Sequence, residues 1–121
     1  MKYKTRKQAE RKGRRAEMWA GVYLRLKGYS ILETRYKTRY GEIDIIARKG
    51  NILAIVEVKR RQTLGLAHDA LTAQSIKRIE EAGASYQEAH ENLHDLEMRF
   101  DAIFITRTFH IHHLKDAWRT Y

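Results

Sequence analysis

The sequence predicts an α/β fold with its elements in the order αβββαβ, a mixed central sheet and helices on both faces. Two apolar runs, residues 42–48 and 52–59, flank Gly50-Asn51, a strong two-residue hairpin signal. Apolar residues occupy both parities of these runs, Ile43 and Ile45 with Ile46 in one, and Val56 and Val58 with Leu53 and Ile55 in the other. A sheet apolar on both sides needs cover on both sides. Helical periodicity before and after the hairpin supplies that cover.

The first helix is expected over about residues 8–27, with Trp19, Val22, Tyr23 and Leu26 on its apolar face, Ala16 and Ala20 beside them, and Gly28 as its end. An irregular strand follows over 29–36, then the hairpin. A second helix is expected over 67–91, where Thr72, Ile76, Ile79, Gly83 and Tyr86 form a stripe and Ala73 and Ala82 permit close approach to a sheet. The last strand spans 99–106, and the C-terminal stretch is less regular.

At 121 residues the chain is expected to hold one domain, over 13–121, preceded by a basic arm over 1–12. Its composition, 43% hydrophobic and 32% charged, is that of a folded protein. Cysteine is absent, which excludes disulfides, thiolate nucleophiles and Cys-ligated zinc and fits a reducing compartment. No apolar run has the length of a signal peptide core or a membrane span, so a cytoplasmic protein with no membrane partner is expected.

The net charge of +9 is unevenly placed. Lys2, Lys4, Arg6, Lys7, Arg11, Lys12, Arg14 and Arg15 against Glu10 give residues 1–15 a net +7, whereas the remaining 16 basic and 14 acidic residues leave only +2. Such an arm suits a polyanion, because each phosphate neutralised releases a condensed counterion. Those eight residues, with Arg60, Arg61 and Lys77, are the candidate nucleic-acid contacts. Lys77 and its neighbour Arg78 would touch phosphate only if their end of the second helix borders the site.

Counting outward from Gly50-Asn51 sets Ile45 against Val56 and Asp44 against Glu57. Opposed residues on antiparallel strands have Cβ atoms roughly 4.5–5.5 Å apart, and like charges so placed repel. Glu57 and Lys59 share a strand face, so two acids and an amine converge in apolar surroundings. Mg²⁺ or Mn²⁺, which takes one or two carboxylates and leaves other positions to water and phosphate oxygens, would offset the repulsion, with the Val58 carbonyl as an extra ligand. An ion so held, with Lys59 offsetting the charge of a pentacovalent phosphorus, points to phosphodiester hydrolysis. The plainer alternative is a Glu57–Lys59 salt bridge at the sheet edge. Glu17 lies at the margin of the first helix's apolar stripe, where it reaches such a metal directly or through water, or else makes ordinary helical contacts.

The segment GRRAEMWAGVYL at 13–24, Gly28-Tyr29, GEIDIIA at 41–47, VEVKRR at 56–61 and RFDAI at 99–103 resemble, in order and spacing, the YraN-like uncharacterised protein family, number 0102. That family is similar to minimal PD-(D/E)XK nucleases with a restriction-endonuclease-like core, and its site layout is similar to that of archaeal Holliday-junction resolvases. The resemblance implies Glu17, Asp44, Glu57 and Lys59 as catalytic residues of a metal-dependent endonuclease acting on structured or branched DNA, and marks Gly41, Glu42, Arg61, Lys77 and Asp101 as family-like positions. The rival expectation is a non-catalytic nucleic-acid-binding module. Two-fold junctions would suit a homodimer, although no exposed apolar stripe marks an interface in the sequence. Asp101 is expected outside the site, orienting Lys59 or another basic residue, or capping its strand near Arg99. His110, His112 and His113 lack an obvious carboxylate partner for zinc.

Overall fold

A computed structural model describes residues 6–107 and 110–118, with side chains described from Gly13 onward in the first helix. Helix α1 (Arg6–Leu26) is followed by β1 (Ser30–Thr38), β2 (Gly41–Lys49), β3 (Ile52–Arg60), α2 (Leu64–Asp69), α3 (Ala73–Ala89), a 3-10 turn over Glu91–Leu93, β4 (Glu97–Ile105) and β5 (Ile111–Leu114). The five strands lie in the order β1-β2-β3-β4-β5, antiparallel except for the parallel β3–β4 pair. The expected αβββαβ core is present, with α2 and the short edge strand β5 as additions. Part of the expected arm, residues 6–12, forms the first turns of α1.

Alternation along the strands builds two cores. On one face Ile45, Ala47, Ala54, Val56, Val58, Ile103 and Ile105 meet Ala16, Ala20 and Leu24 of α1. On the other, Ile46, Leu53 and Ile55 meet Ile79, Ala82 and Tyr86 of α3. The parallel β3–β4 pairing requires a long crossover, and α2 and α3 supply it across this second face.

Two helix expectations need correction. The buried face of α1 is Ala16, Ala20 and Leu24, not Trp19, Val22 and Leu26, which are exposed together with Met18; Tyr23 is half-buried. Small residues win because α1 lies against Ala47 and Ala54, where alanine against alanine allows a close approach that a Trp–Leu stripe would prevent. The single helix over 67–91 is two helices. Thr72 starts α3, its Oγ1 accepting from the Ser75 N–H at 3.1 Å while Ser75 Oγ accepts from the Thr72 N–H at 3.0 Å. This reciprocal cap ends the continuity that the apolar period suggested, so Thr72 caps a helix instead of joining its stripe.

Gly83 sits where α3 crosses the sheet. A Cβ there would lie 3.1 Å from both Ile55 Cγ1 and Phe100 Cε1 and 3.3 Å from Met98 Sδ. Gly83→Leu is therefore expected to lower stability by about 1–3 kcal/mol through overpacking. Urea denaturation checks this, and an unchanged midpoint would mean that α3 is free to lift off the sheet.

Candidate active site

The β2–β3 hairpin has the register counted from its turn, from Lys49↔Ile52 through Ala47↔Ala54 to Ile45↔Val56. There the ladder stops. The next bonded pair would be Ile43 with Val58, but the Val58 N–H donates instead to Asp44 Oδ2 at 2.8 Å. Alternation also breaks at this point, since Ile45 faces the α1 core while Ile43 joins the α3 core. Asp44 thus does not sit opposite Glu57 as a regular ladder pair. Its side chain replaces a backbone acceptor and the two strands part beyond it. An extended residue sends its N–H and C=O to the same side of the strand, so the Val58 carbonyl is directed into the same gap.

The gap is the floor of a cleft of about 480 Å³ lined by residues from both faces of the sheet. Glu17 enters from α1, Arg78 from α3, Glu42 and Asp44 from β2, and Glu57, Val58, Lys59 and Arg60 from β3, with Arg61 just beyond. Of the expected site residues, Glu17, Asp44, Glu57, Val58, Lys59, Arg60 and Arg61 all line it. Lys77 does not, whereas Arg78, one residue on, does and packs against Gly41: a Cβ on Gly41, whose φ is +135°, would lie 2.6 Å from Arg78 Cδ. Arg14 lines a neighbouring groove and Arg15 is exposed. Lys2 and Lys4, and the side chains of Arg6, Lys7, Arg11 and Lys12, lie outside the described residues.

Electrostatics single out the floor. Glu57 is 4% exposed, and Lys59 Nζ lies 3.4 Å from its Oε2. Burial pushes the Asp44 carboxyl up from the ordinary 3.8 to about 8, helped by the Glu57 carboxyl within hydrogen-bonding reach and opposed by the Val58 N–H and Lys59. Two carboxyls this close repel when ionised, and a cation between them would offset that repulsion. Oxygen donors alone, two carboxylates and a directed carbonyl, are the set a hard divalent ion takes.

Glu17 reaches the wall of the cleft but not its floor. Its Oε1 accepts from Arg35 Nε at 2.7 Å. Burial raises its carboxyl, the Arg35 bond offsets part of that, and Asp44 and Glu42 raise it further, so it feels the floor carboxyls without joining them. Among the described residues no three His, Asp or Glu side chains gather closely enough to hold one ion. Arg35, with φ of +51°, was not foreseen, because its pairing with Glu17 spans 18 residues and exists only once α1 packs beside β1.

Asp101 is fully buried on the α1 face, beside Val56 in the register, and does not orient Lys59, which alternation places on the opposite face. The basic residue it holds is Arg99, whose Nε and Nη2 donate to Oδ1 and Oδ2 at 2.8 and 2.7 Å. His113 Nε2 lies 2.8 Å from Oδ2, the Asp116 N–H donates to Oδ1 at 3.0 Å, and Arg99 also donates to the Tyr29 hydroxyl. Burial pushes the Asp101 carboxyl up, but bonds from His113, Arg99 and the Asp116 N–H outweigh it and leave it below its ordinary value. His113 thus has a carboxylate partner, in a buried network tying β5 to β4.

Two outcomes are expected. Because Asp44 titrates higher folded than unfolded, the folded state holds an extra proton between these values, and stability falls as pH rises from about 4 towards 8. Asp44→Asn keeps an acceptor for the Val58 N–H and removes the charge, so in metal-free buffer at pH 8 it should melt several degrees above wild type, a gain on the order of 1 kcal/mol or more, and equal it near pH 4. Equal melting curves at pH 8 would refute the strained acid pair. Asp101→Asn leaves the part-buried Arg99 guanidinium without its countercharge and should cost about 1–3 kcal/mol in denaturant unfolding; a loss too small to resolve would show the network to be dispensable.

Residues 16–105 match the model of the uncharacterised protein family UPF0102. A protein of this family from Agrobacterium fabrum is 43% identical over 113 residues, covering 93% of both chains. One from Parvibaculum lavamentivorans is 43% identical over 111 residues, 92% of this chain and 84% of its own, and one from Bartonella bacilliformis is 42% identical over 121 residues, 100% and 99%. Match and relatives run through the strands that carry Asp44, Glu57 and Lys59, and the chain belongs to the uncharacterised protein family UPF0102.

Proposed function

We propose that this protein is a Mg²⁺- or Mn²⁺-dependent nuclease that hydrolyses phosphodiester bonds of nucleic acid, with structured or branched DNA as the preferred substrate. The observation that carries the reading is the Asp44–Glu57 acid pair, Glu57 buried and Asp44 half-buried between apolar strands, beside Lys59, and open to a cleft rimmed by arginines. A binding module for a polyanion gains nothing from two costly carboxyls facing its ligand.

Asp44, Glu57 and the Val58 carbonyl would hold the ion. Such an ion supplies Lewis acidity at the scissile phosphate and a water made acidic enough to attack near neutral pH. Lys59, close to Glu57 yet still partly exposed, offsets the negative charge that develops on the phosphorus or steadies the attacking water. Arg60, Arg61 and Arg78 line the cleft and orient phosphate oxygens, since a guanidinium fork matches them in pairs. Glu17 acts from the wall, through water, as a further negative group that favours a cation at the floor. The basic segment ahead of Arg15 adds sequence-independent attraction to the same polyanion. A cytoplasmic setting without a membrane partner accords with this reading; among the described residues no helix is long and apolar enough to cross a membrane.

Calorimetric titration of Mn²⁺ into wild type, Asp44→Asn and Glu57→Gln, followed by incubation with labelled duplex, single-stranded and four-way-junction DNA, tests the proposal. Wild type should bind the ion and cut, and both variants should lose both properties. Lys59→Met should keep the ion and lose cleavage by roughly two to three orders of magnitude. Wild-type protein that binds DNA but neither takes up Mn²⁺ nor cuts would leave the binding module as the function.

A further inference from the structure

Resting on the nuclease reading, we infer that the groove between α1 and the edge strand β1 is a binding subsite for the nucleic-acid backbone flanking the scissile phosphate, read by Arg14, Arg25 and Arg35.

The groove, of about 430 Å³, is separate from the cleft but shares one wall residue with it, Glu17. Arg14, Met18, Gly21 and Arg25 line its helical side at spacings of four, three and four residues, one continuous stripe of α1. Eleven residues make about three turns, so Arg14 and Arg25 stand about 16 Å apart along one face. Ile31, Thr34 and Arg35 of β1 line the opposite side. Among the described residues, three guanidiniums thus line the groove with a single carboxylate, and only Arg35 is paired with it. Arg14 and Arg25 make no ion pair among the described residues, and Arg25 lies over bare backbone, its Nη1 4.0 Å from where a Gly21 Cβ would stand.

Continuity with the cleft decides the ligand. A backbone with one phosphate over Asp44 and Glu57 must leave the cleft across a wall, and the Glu17–Arg35 pair is the wall where further arginines follow. Met18, 66% exposed, and Ile31 give the groove an apolar strip that suits sugar and base surface more than a second acidic chain. Bidentate guanidinium–phosphate contact explains arginine at all three basic positions. Glu17, in the shared wall, repels a phosphate that stops short of either arginine set and so spaces the backbone between cleft and groove.

Fluorescence anisotropy of a labelled DNA oligonucleotide, in EDTA so that cutting does not intervene and over a range of salt, tests the groove. The double variant Arg14→Gln, Arg25→Gln should bind about tenfold more weakly at ~0.1 M salt and lower the slope of log affinity against log salt by about 1.5–2. Arg14→Lys with Arg25→Lys should restore the slope, and Arg48→Gln with Lys115→Gln, equal in charge lost but lining neither cavity, should keep it. Loss of slope equal to that control overturns the subsite while leaving the nuclease reading intact. Polyglutamate competing as strongly as DNA gives the groove to an acidic protein segment, and a concentration-dependent dimer lost in the glutamine variant with unchanged DNA affinity gives it to a second copy; either overturns the assignment. Wild type that binds no nucleic acid sinks both readings together.

Discussion

The bond from the Val58 N–H to Asp44 Oδ2 organises this molecule. A carboxylate taking a backbone donor costs the sheet one ladder bond but keeps the Val58 N–H satisfied where the strands separate. Separation is what makes the cleft. Had the ladder continued through Ile43 and Val58, the carboxyls of Asp44 and Glu57 would flank a closed hairpin with no gap between strands. The same bond pulls the Asp44 carboxyl down, but burial, the largest influence, pushes it up and prevails.

The two faces of the sheet contribute unequally to that site. On the α1 side, small residues at Ala16 and Ala20 let the helix sink onto Ala47 and Ala54, which carries Glu17 down to the wall of the cleft. A helix resting on Trp19 and Leu26 would stand further off and turn Glu17 elsewhere. On the α3 side the approach is set by Gly83, and the start of the helix by the Thr72–Ser75 cap, which together bring Arg78 to the rim. The cleft therefore has an acidic floor from β2 and β3 and a basic rim completed by Arg78 of α3.

Away from the cleft, Asp101 anchors the other side of the sheet. Its bonds to Arg99, His113 and the Asp116 N–H join β4, β5 and the turn after β5, and Arg99 reaches on to Tyr29 at the junction of α1 and β1. A buried polar network in which every Asp101 oxygen is bonded favours one arrangement of the elements it joins. It holds the α1–β1 connection, and so the position of Glu17 relative to Arg35, from behind.

Much of this was legible in the chain. The hairpin register followed from Gly50-Asn51 and strand alternation, because a two-residue turn leaves no freedom of pairing, and with it came the convergence of Asp44, Glu57 and Lys59. The two-sided apolar strands required helices on both faces. What the chain did not reveal depended on contacts distant in sequence or on competition between equal local patterns. The apolar period of α1 offered a bulky face and a small one, and only packing against Ala47 and Ala54 chose the small one. The partners of Glu17 and Asp101 were decided by tertiary structure, since Arg35 and His113 meet them only after the sheet has formed. Sequence alone brought Asp44, Glu57 and Lys59 to one end of the hairpin, because a two-residue turn fixes register; the parting of β2 and β3 at Asp44, a side chain taking a backbone's place, decided that they face an open cleft.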